Sequence, residues 1–175
     1  MTTAVSPDNL VSLYNNVILG QPTFIPGDLD LSGVPIMGLP DNLKVEGNLV
    51  LSDTSVTSLP ENLEVGGTLY ISGLQITKLP NNLWVGGDLN LDEVPIKNLP
   101  DNLHVGGDLN LRNTAISSLP ANLYVGGNLN LFNTGISSLP PDLYVGGGIN
   151  LFGTAIKSKR MIPQTTRIEG PILGI

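Results

Sequence analysis

The sequence predicts a β-rich solenoid: a stack of about seven coils, each twenty residues long, built on one parallel sheet. Three observations predict it. The leucine pairs Leu29/Leu31, Leu49/Leu51, Leu89/Leu91, Leu109/Leu111 and Leu129/Leu131 recur at a fixed step, with Leu69/Ile71 and Ile149/Leu151 completing the series. A glycine recurs at the same step at Gly27, Gly47, Gly67, Gly87, Gly107, Gly127 and Gly147. A Leu-Pro step recurs at Pro40, Pro60, Pro80, Pro100, Pro120 and Pro140, which removes an amide donor from every return segment and blocks a long helix there.

The chain divides into three stretches within one domain. Residues 1–23 hold a predicted capping helix. Ser6 suits the N-cap, Pro7 the first helical position and Gly20 the residue after the last turn, while Leu10, Leu13, Tyr14, Val17 and Ile18 recur at helical spacing. Laid on the first coil, its apolar face would close the open end of the stack, which a repeat array requires. Residues 24–158 form the solenoid. In the coil 104–123 the inward side chains are Val105, Leu109, Leu111, Ile116, Leu119 and Leu123, spaced evenly about the Gly-Gly corner so that alternate residues face one way. The recurrent glycine implies either a positive φ or backbones too close for a Cβ. Residues 159–175 break the pattern: Lys159 and Arg160 stand where Leu-Pro is due. They are predicted to form an irregular C-terminal cap that lays Ile168, Ile172, Leu173 and Ile175 on the last coil. Lys157, Lys159, Arg160 and Arg167, half of the eight basic residues, either keep its strand edge from pairing or form a basic docking patch.

The solenoid segment resembles the leucine-rich repeat in its short, twenty-residue bacterial or prophage form. LxLxxTxIxxLPxxL reads closely on that family's LxLxxNxLxxLPxxL over residues 24 to about 158. It departs where the family stacks Asn, having Val34, Thr54, Leu74, Val94, Thr114, Thr134 and Thr154 instead. A second column, Asn42, Asn62, Asn82, Asn102 and Asn122, follows Leu-Pro and is expected to satisfy buried loop carbonyls. The departure leaves a straighter solenoid as open as the family's horseshoe. The resemblance implies protein interaction, and short bacterial members occur in secreted effectors. Some of those carry a cysteine-dependent ubiquitin ligase domain, which a chain without cysteine does not supply.

Composition narrows the function classes. A net charge of −7 argues against nonspecific binding to nucleic acid or anionic membranes, which needs clustered cations. With no cysteine there are no disulfides or thiolate metal sites. His104 is the one histidine and shares its column with Trp84, Tyr124 and Tyr144, so stacking accounts for it better than general-base chemistry. The segment GGDLNL resembles calcium-binding β-roll repeats, but the period is wrong and the Asp slot runs Asp28, Asn48, Thr68, Asp88, Asp108, Asn128, Gly148. No catalytic site, cofactor or metal is expected.

Two outward columns carry the functional reading. One runs Ser32, Ser52, Ser72, Asp92, Arg112, Phe132, Phe152 beside Asn90, Asn110, Asn130 and Asn150; the other runs Phe24, Lys44, Glu64, Trp84, His104, Tyr124, Tyr144. Stacked identical side chains stabilise a solenoid by themselves, yet exposed aromatics and Arg dominate recognition surfaces. The expected partner site is Arg112, Phe132, Phe152, Asp108, Asn110, Asn130 and Asn150, with the ladder Trp84, His104, Tyr124 and Tyr144 second. The expected function is non-catalytic recognition of another protein, as an effector or inhibitor of a host or defence protein, by a monomer or small homo-oligomer. A glycan- or receptor-binding tip and a structural spacer are the alternatives. No signal peptide or membrane span is read in the sequence, so a cytoplasmic location is expected.

Overall fold

The computed structural model describes residues 23–175, and the predicted N-terminal capping helix lies outside the described residues. The described chain is a β-solenoid of eight coils. The first four contribute β1 (Phe24–Ile25), β2 (Leu29–Asp30), β3 (Lys44–Val45), β4 (Leu49–Val50), β5 (Glu64–Val65), β6 (Leu69–Tyr70), β7 (Trp84–Val85) and β8 (Leu89–Asn90). The last four contribute β9 (His104–Val105), β10 (Leu109–Asn110), β11 (Tyr124–Val125), β12 (Leu129–Asn130), β13 (Tyr144–Val145), β14 (Ile149–Asn150), β15 (Arg167–Ile168) and β16 (Ile172–Leu173).

The odd strands form one eight-stranded parallel sheet and the even strands another, each in chain order. This corrects the single sheet expected. Val105 and Leu109 share an inward parity, but the Gly-Gly corner between them turns the chain from one face of the coil to the next. Register is the twenty-residue step itself, as in Leu109↔Leu129 and Val85↔Val105. Neighbouring coils at about 4.8 Å make a stack of roughly 34 Å between first and last.

The core is a set of columns. Val105, Leu109, Leu111, Ile116 and Leu123 are fully buried and Leu119 nearly so, as their spacing predicts. The glycine corner is set by closeness rather than by dihedral. From Gly47 to Gly147 each glycine amide donates to the carbonyl of the glycine one coil earlier, at 2.8–2.9 Å. A Cβ on Gly47, Gly67, Gly107, Gly127 or Gly147 would fall 2.1–2.6 Å from the side-chain Oδ1 one coil earlier. Only Gly27 in this column needs a positive φ, at 92°.

Two other columns are left-handed in most coils. Asn42, Asn62, Asn82, Asn102 and Asn122 have φ of 55–60° and are exposed, so this column serves the turn after Leu-Pro instead of reaching buried carbonyls. The second slot holds Gly33, Asp53, Gly73, Glu93, Asn113, Asn133 and Gly153 at 55–79°. The residue after it is threonine in four of the coils. Thr54, Thr114, Thr134 and Thr154 each donate their hydroxyl to the carbonyl three residues back, at 2.7–2.8 Å, closing the turn that leaves the even strand.

The C-terminal residues do not form the irregular cap expected. After a 3₁₀ turn at Lys159–Met161, Arg167–Ile168 pairs with Tyr144–Val145 and Ile172–Leu173 with Ile149–Asn150, making an eighth coil. Here the step grows from twenty residues to twenty-three, as Tyr144↔Arg167 and Ile149↔Ile172 both show. The extra residues sit in the return segment, where Leu-Pro is absent.

Candidate functional site

The even-strand face carries every residue of the expected partner site. Leu109, Leu129 and Ile149 point inward, so Asp108, Asn110 and Arg112 and their counterparts point out by strand alternation. Arg112, Phe132 and Phe152 form one exposed column. The Arg112 guanidinium lies over the Phe132 ring, 5.9 Å from its centroid, and reaches the Asp92 carboxylate at 3.8 Å. The other oxygen of Asp92, Oδ1, is buried and accepts no hydrogen bond from the described residues.

The Asn residues have a structural task as well as an exposed face. Asn110, Asn130 and Asn150 each accept, through Oδ1, the amide of the residue two further on: Arg112 at 3.2 Å, Phe132 at 3.1 Å and Phe152 at 3.1 Å. Asn110 also donates from Nδ2 to Asn90 Oδ1 at 3.1 Å. These bonds hold the backbone that presents Arg112, Phe132 and Phe152.

Asp108 belongs to a third series at the corner. Its Oδ1 accepts the Asn128 amide at 2.6 Å, and Asp88 Oδ1 accepts the Asp108 amide at 2.7 Å. Asp28 accepts from Asn48, Asn48 from Thr68, Thr68 from Asp88 and Asn128 from Gly148 in the same way. The variable Asp slot is therefore a run of side-chain acceptors, each taking the amide of the next coil. Asp, Asn and Thr all supply the needed oxygen, which explains the variation. Among the described residues, no three His, Asp or Glu side chains converge as metal ligands would.

Asp108, Asn110, Asn130 and Asn150 line one shallow groove of about 360 Å³, closed at its C-terminal end by Pro171 and Leu173. Sequence reasoning missed those last two because they belong to the coil taken for an irregular cap. Phe132 and Phe152 stand in the next column on the same face. A second groove of about 410 Å³ lies on the return side, lined by Lys78, Asn81, Lys97 and Asn98 among others. Nothing in the sequence columns marks it except two lysines on successive coils.

The aromatic ladder lies on the other sheet. Trp84 stacks on His104 at 5.9 Å, His104 on Tyr124 at 4.7 Å and Tyr124 on Tyr144 at 5.0 Å, all within 8° of parallel. The run continues further than its aromatics, for Arg167 lies over Tyr144 at 5.5 Å and pairs with Glu169 at 2.8 Å. At its other end Glu64 pairs with Lys44 at 2.8 Å, and this contact raises the lysine's pKa above its ordinary value. The two columns thus occupy different faces and do not make one site. No protein-family model matches the chain, and comparison with curated proteins and solved structures finds no similar chain.

Proposed function

We propose that the chain is a non-catalytic recognition module that binds another protein through its even-strand face, with Arg112, Phe132 and Phe152 at the centre. The supporting observation is the exposed Arg112–Phe132–Phe152 column beside a groove lined by Asp108, Asn110, Asn130 and Asn150, on a sheet that also exposes Tyr70. Aromatic and Arg side chains held on a rigid scaffold are the usual anchors of protein recognition. We read the coil as leucine-rich-repeat-like, of bacterial or phage origin. In that setting a cytoplasmic inhibitor or effector that occludes a host or defence protein fits the binding mode.

Glycan binding is the second reading, favoured by the Asn amides along the groove. Stacking chemistry limits where a sugar could sit: Arg112 lies over Phe132 and the rings of the other column lie against one another, so Phe152 and Tyr70 are the rings on this face left without a stacked partner among the described residues. The test compares the immobilised protein with its Arg112→Glu/Phe132→Ala variant in pull-downs from a cell lysate and on a glycan array. A protein captured by the parent and lost by the variant, with unchanged circular dichroism, supports the proposal. Glycan signals that the variant loses would replace it with the second reading.

A further inference from the structure

We propose that two copies of the chain pair through the odd-strand face, packed antiparallel so that Trp84 of each meets Tyr144 of the other and Glu64 meets Arg167. The outward column of that sheet reads Phe24, Lys44, Glu64, Trp84, His104, Tyr124, Tyr144, Arg167, in a register fixed by strand pairing. The formal charges of this column stand only toward its ends, with four rings between Glu64 and Arg167.

The rings make one continuous strip. They lie within 8° of parallel at centroid spacings of 4.7–5.9 Å, and stacking still leaves Trp84 41% and Tyr124 39% exposed. Contiguous rings of this kind are not the scattered apolar exposure ordinary on a monomer. Gly66, Gly86, Gly106, Gly126 and Gly146 form the next outward column, because a Cβ there would fall 2.1–2.4 Å from a carbonyl oxygen of the coil before. That crowding is internal, but its outward result is a strip of bare backbone beside the rings. Trp84 leans over it, with Cη2 2.9 Å from where a Cβ on Gly86 would lie. A second surface can therefore approach the rings from that side without meeting side chains.

The order of charges selects the occupant. A two-fold axis lying across the sheet midway between His104 and Tyr124 sets His104 on Tyr124, Trp84 on Tyr144 and Glu64 on Arg167. Both ends of the contact then place a carboxylate against a guanidinium. Phe24, two coils beyond Glu64, stays outside it. The Glu64 and Arg167 side chains are 49% and 71% exposed, and each holds one ion pair within its own chain, with Lys44 and Glu169 at 2.8 Å. The carboxylate keeps a second oxygen and the guanidinium further N–H donors, so the contact across the axis adds to these pairs. Parallel packing would instead set Glu64 against Glu64 and Arg167 against Arg167. An unrelated partner would have to match an anion and a cation about 24 Å apart, a spacing the chain already presents to its own copy. So narrow a strip lies at the small end of stable interfaces, and association is expected at micromolar concentrations.

Sedimentation velocity of the full chain across the micromolar range, at low salt, should show a reversible monomer–dimer equilibrium. Trp84 is the chain's one tryptophan, so acrylamide quenching of its fluorescence reports on this face and should fall as the dimer forms. Glu64→Lys and Arg167→Glu should each weaken the dimer about tenfold or more, because each sets like charges together at both ends. An equimolar mixture of these two variants should associate within about threefold of the parent, since every end of the mixed dimer again opposes unlike charges. Arg112→Glu/Phe132→Ala should leave the dimer unchanged, which separates this face from the even-strand face. A chain that stays monomeric throughout overturns the proposal, as does a dimer in which Trp84 is quenched as readily as in the monomer. A mixture that associates no better than its components also overturns it, for then Glu64 and Arg167 do not meet. Loss of the dimer in Arg112→Glu/Phe132→Ala would give self-association to the even-strand face and overturn it too.

Discussion

Gly107 sits against Asp88 so closely that a Cβ on the glycine would fall 2.1 Å from the carboxylate oxygen, with Gly87 C at 2.9 Å and Asp88 N at 3.0 Å behind it. The same oxygen accepts the Asp108 amide at 2.7 Å, so it cannot swing aside without leaving that amide unpaired. Gly107→Ala should therefore destabilise the fold by about 2–3 kcal/mol, through crowding alone. Gly73→Ala meets no atom within 4 Å and should cost only about 1–2 kcal/mol, through its φ of 75°. Urea denaturation of the two variants checks the order.

Glu93 holds a left-handed position, φ 61°, that Asn113 and Asn133 hold in later coils. Its side chain is exposed and has no hydrogen bond to lose among the described residues. Glu93→Asn should stabilise the protein by about 0.5 kcal/mol, because Asn tolerates this conformation better. A rise in thermal midpoint confirms it; a fall would show that Glu93 has an interaction the backbone argument omits.

Asp30 accepts the hydroxyl and the amide of Ser32, and these bonds hold its carboxyl below the ordinary value of 3.8. Because the folded pKa is depressed, its contribution is fully present above the ordinary value and is lost as pH falls through the folded one. The parent should lose stability relative to Asp30→Asn as pH falls below the ordinary value of 3.8 and through the depressed folded one. Solvent screening at this exposed site limits the difference to about half a kcal/mol. Denaturation midpoints measured across that window test the sign.

The register makes a sharper demand. Deleting residues 64–83 joins Leu63 to Trp84 and removes one whole coil, so β3 would pair with β7 in unchanged register. That variant should fold cooperatively with the parent's circular dichroism shape and a lower midpoint. Deleting residues 64–84 removes one residue more and turns every later inward side chain of that coil outward. It should fail to fold cooperatively. Equal behaviour of the two variants would contradict a stack held by columns.

The inward columns were legible in the sequence because a fully buried position accepts only a few side chains: Leu, Ile or Val recurs at nearly every such position, with Thr23 and Thr154 as exceptions. The second sheet was not, since Val105, Leu109 and Leu111 keep the same parity whether the chain runs straight through the glycine corner or turns at it. The left-handed slot of Gly33, Asp53, Gly73, Glu93 and Asn113 is conformationally uniform but chemically mixed, so nothing in its composition announces it. The eighth coil escaped notice because a three-residue insertion and the loss of Leu-Pro hide the match of Arg167–Ile168 to Tyr144–Val145. At the expected partner site, the columns identified which residues face outward. They did not show that Asn110, Asn130 and Asn150 spend their oxygens on backbone amides, because the alternation of a strand says nothing about where an oxygen points.

The corner acceptors also give the molecule a direction under load. Each rung joins one coil to the next and none spans two, so tension along the axis passes through every rung in series. Most are 2.6–2.8 Å long, but Thr68 holds the Asp88 amide at 3.3 Å through a neutral hydroxyl. Pulled from its ends, the solenoid should part first between the coils of Thr68 and Asp88. It would divide into an acidic piece and a piece bearing Arg112, Phe132 and Phe152, a mechanical seam that equilibrium melting would not reveal.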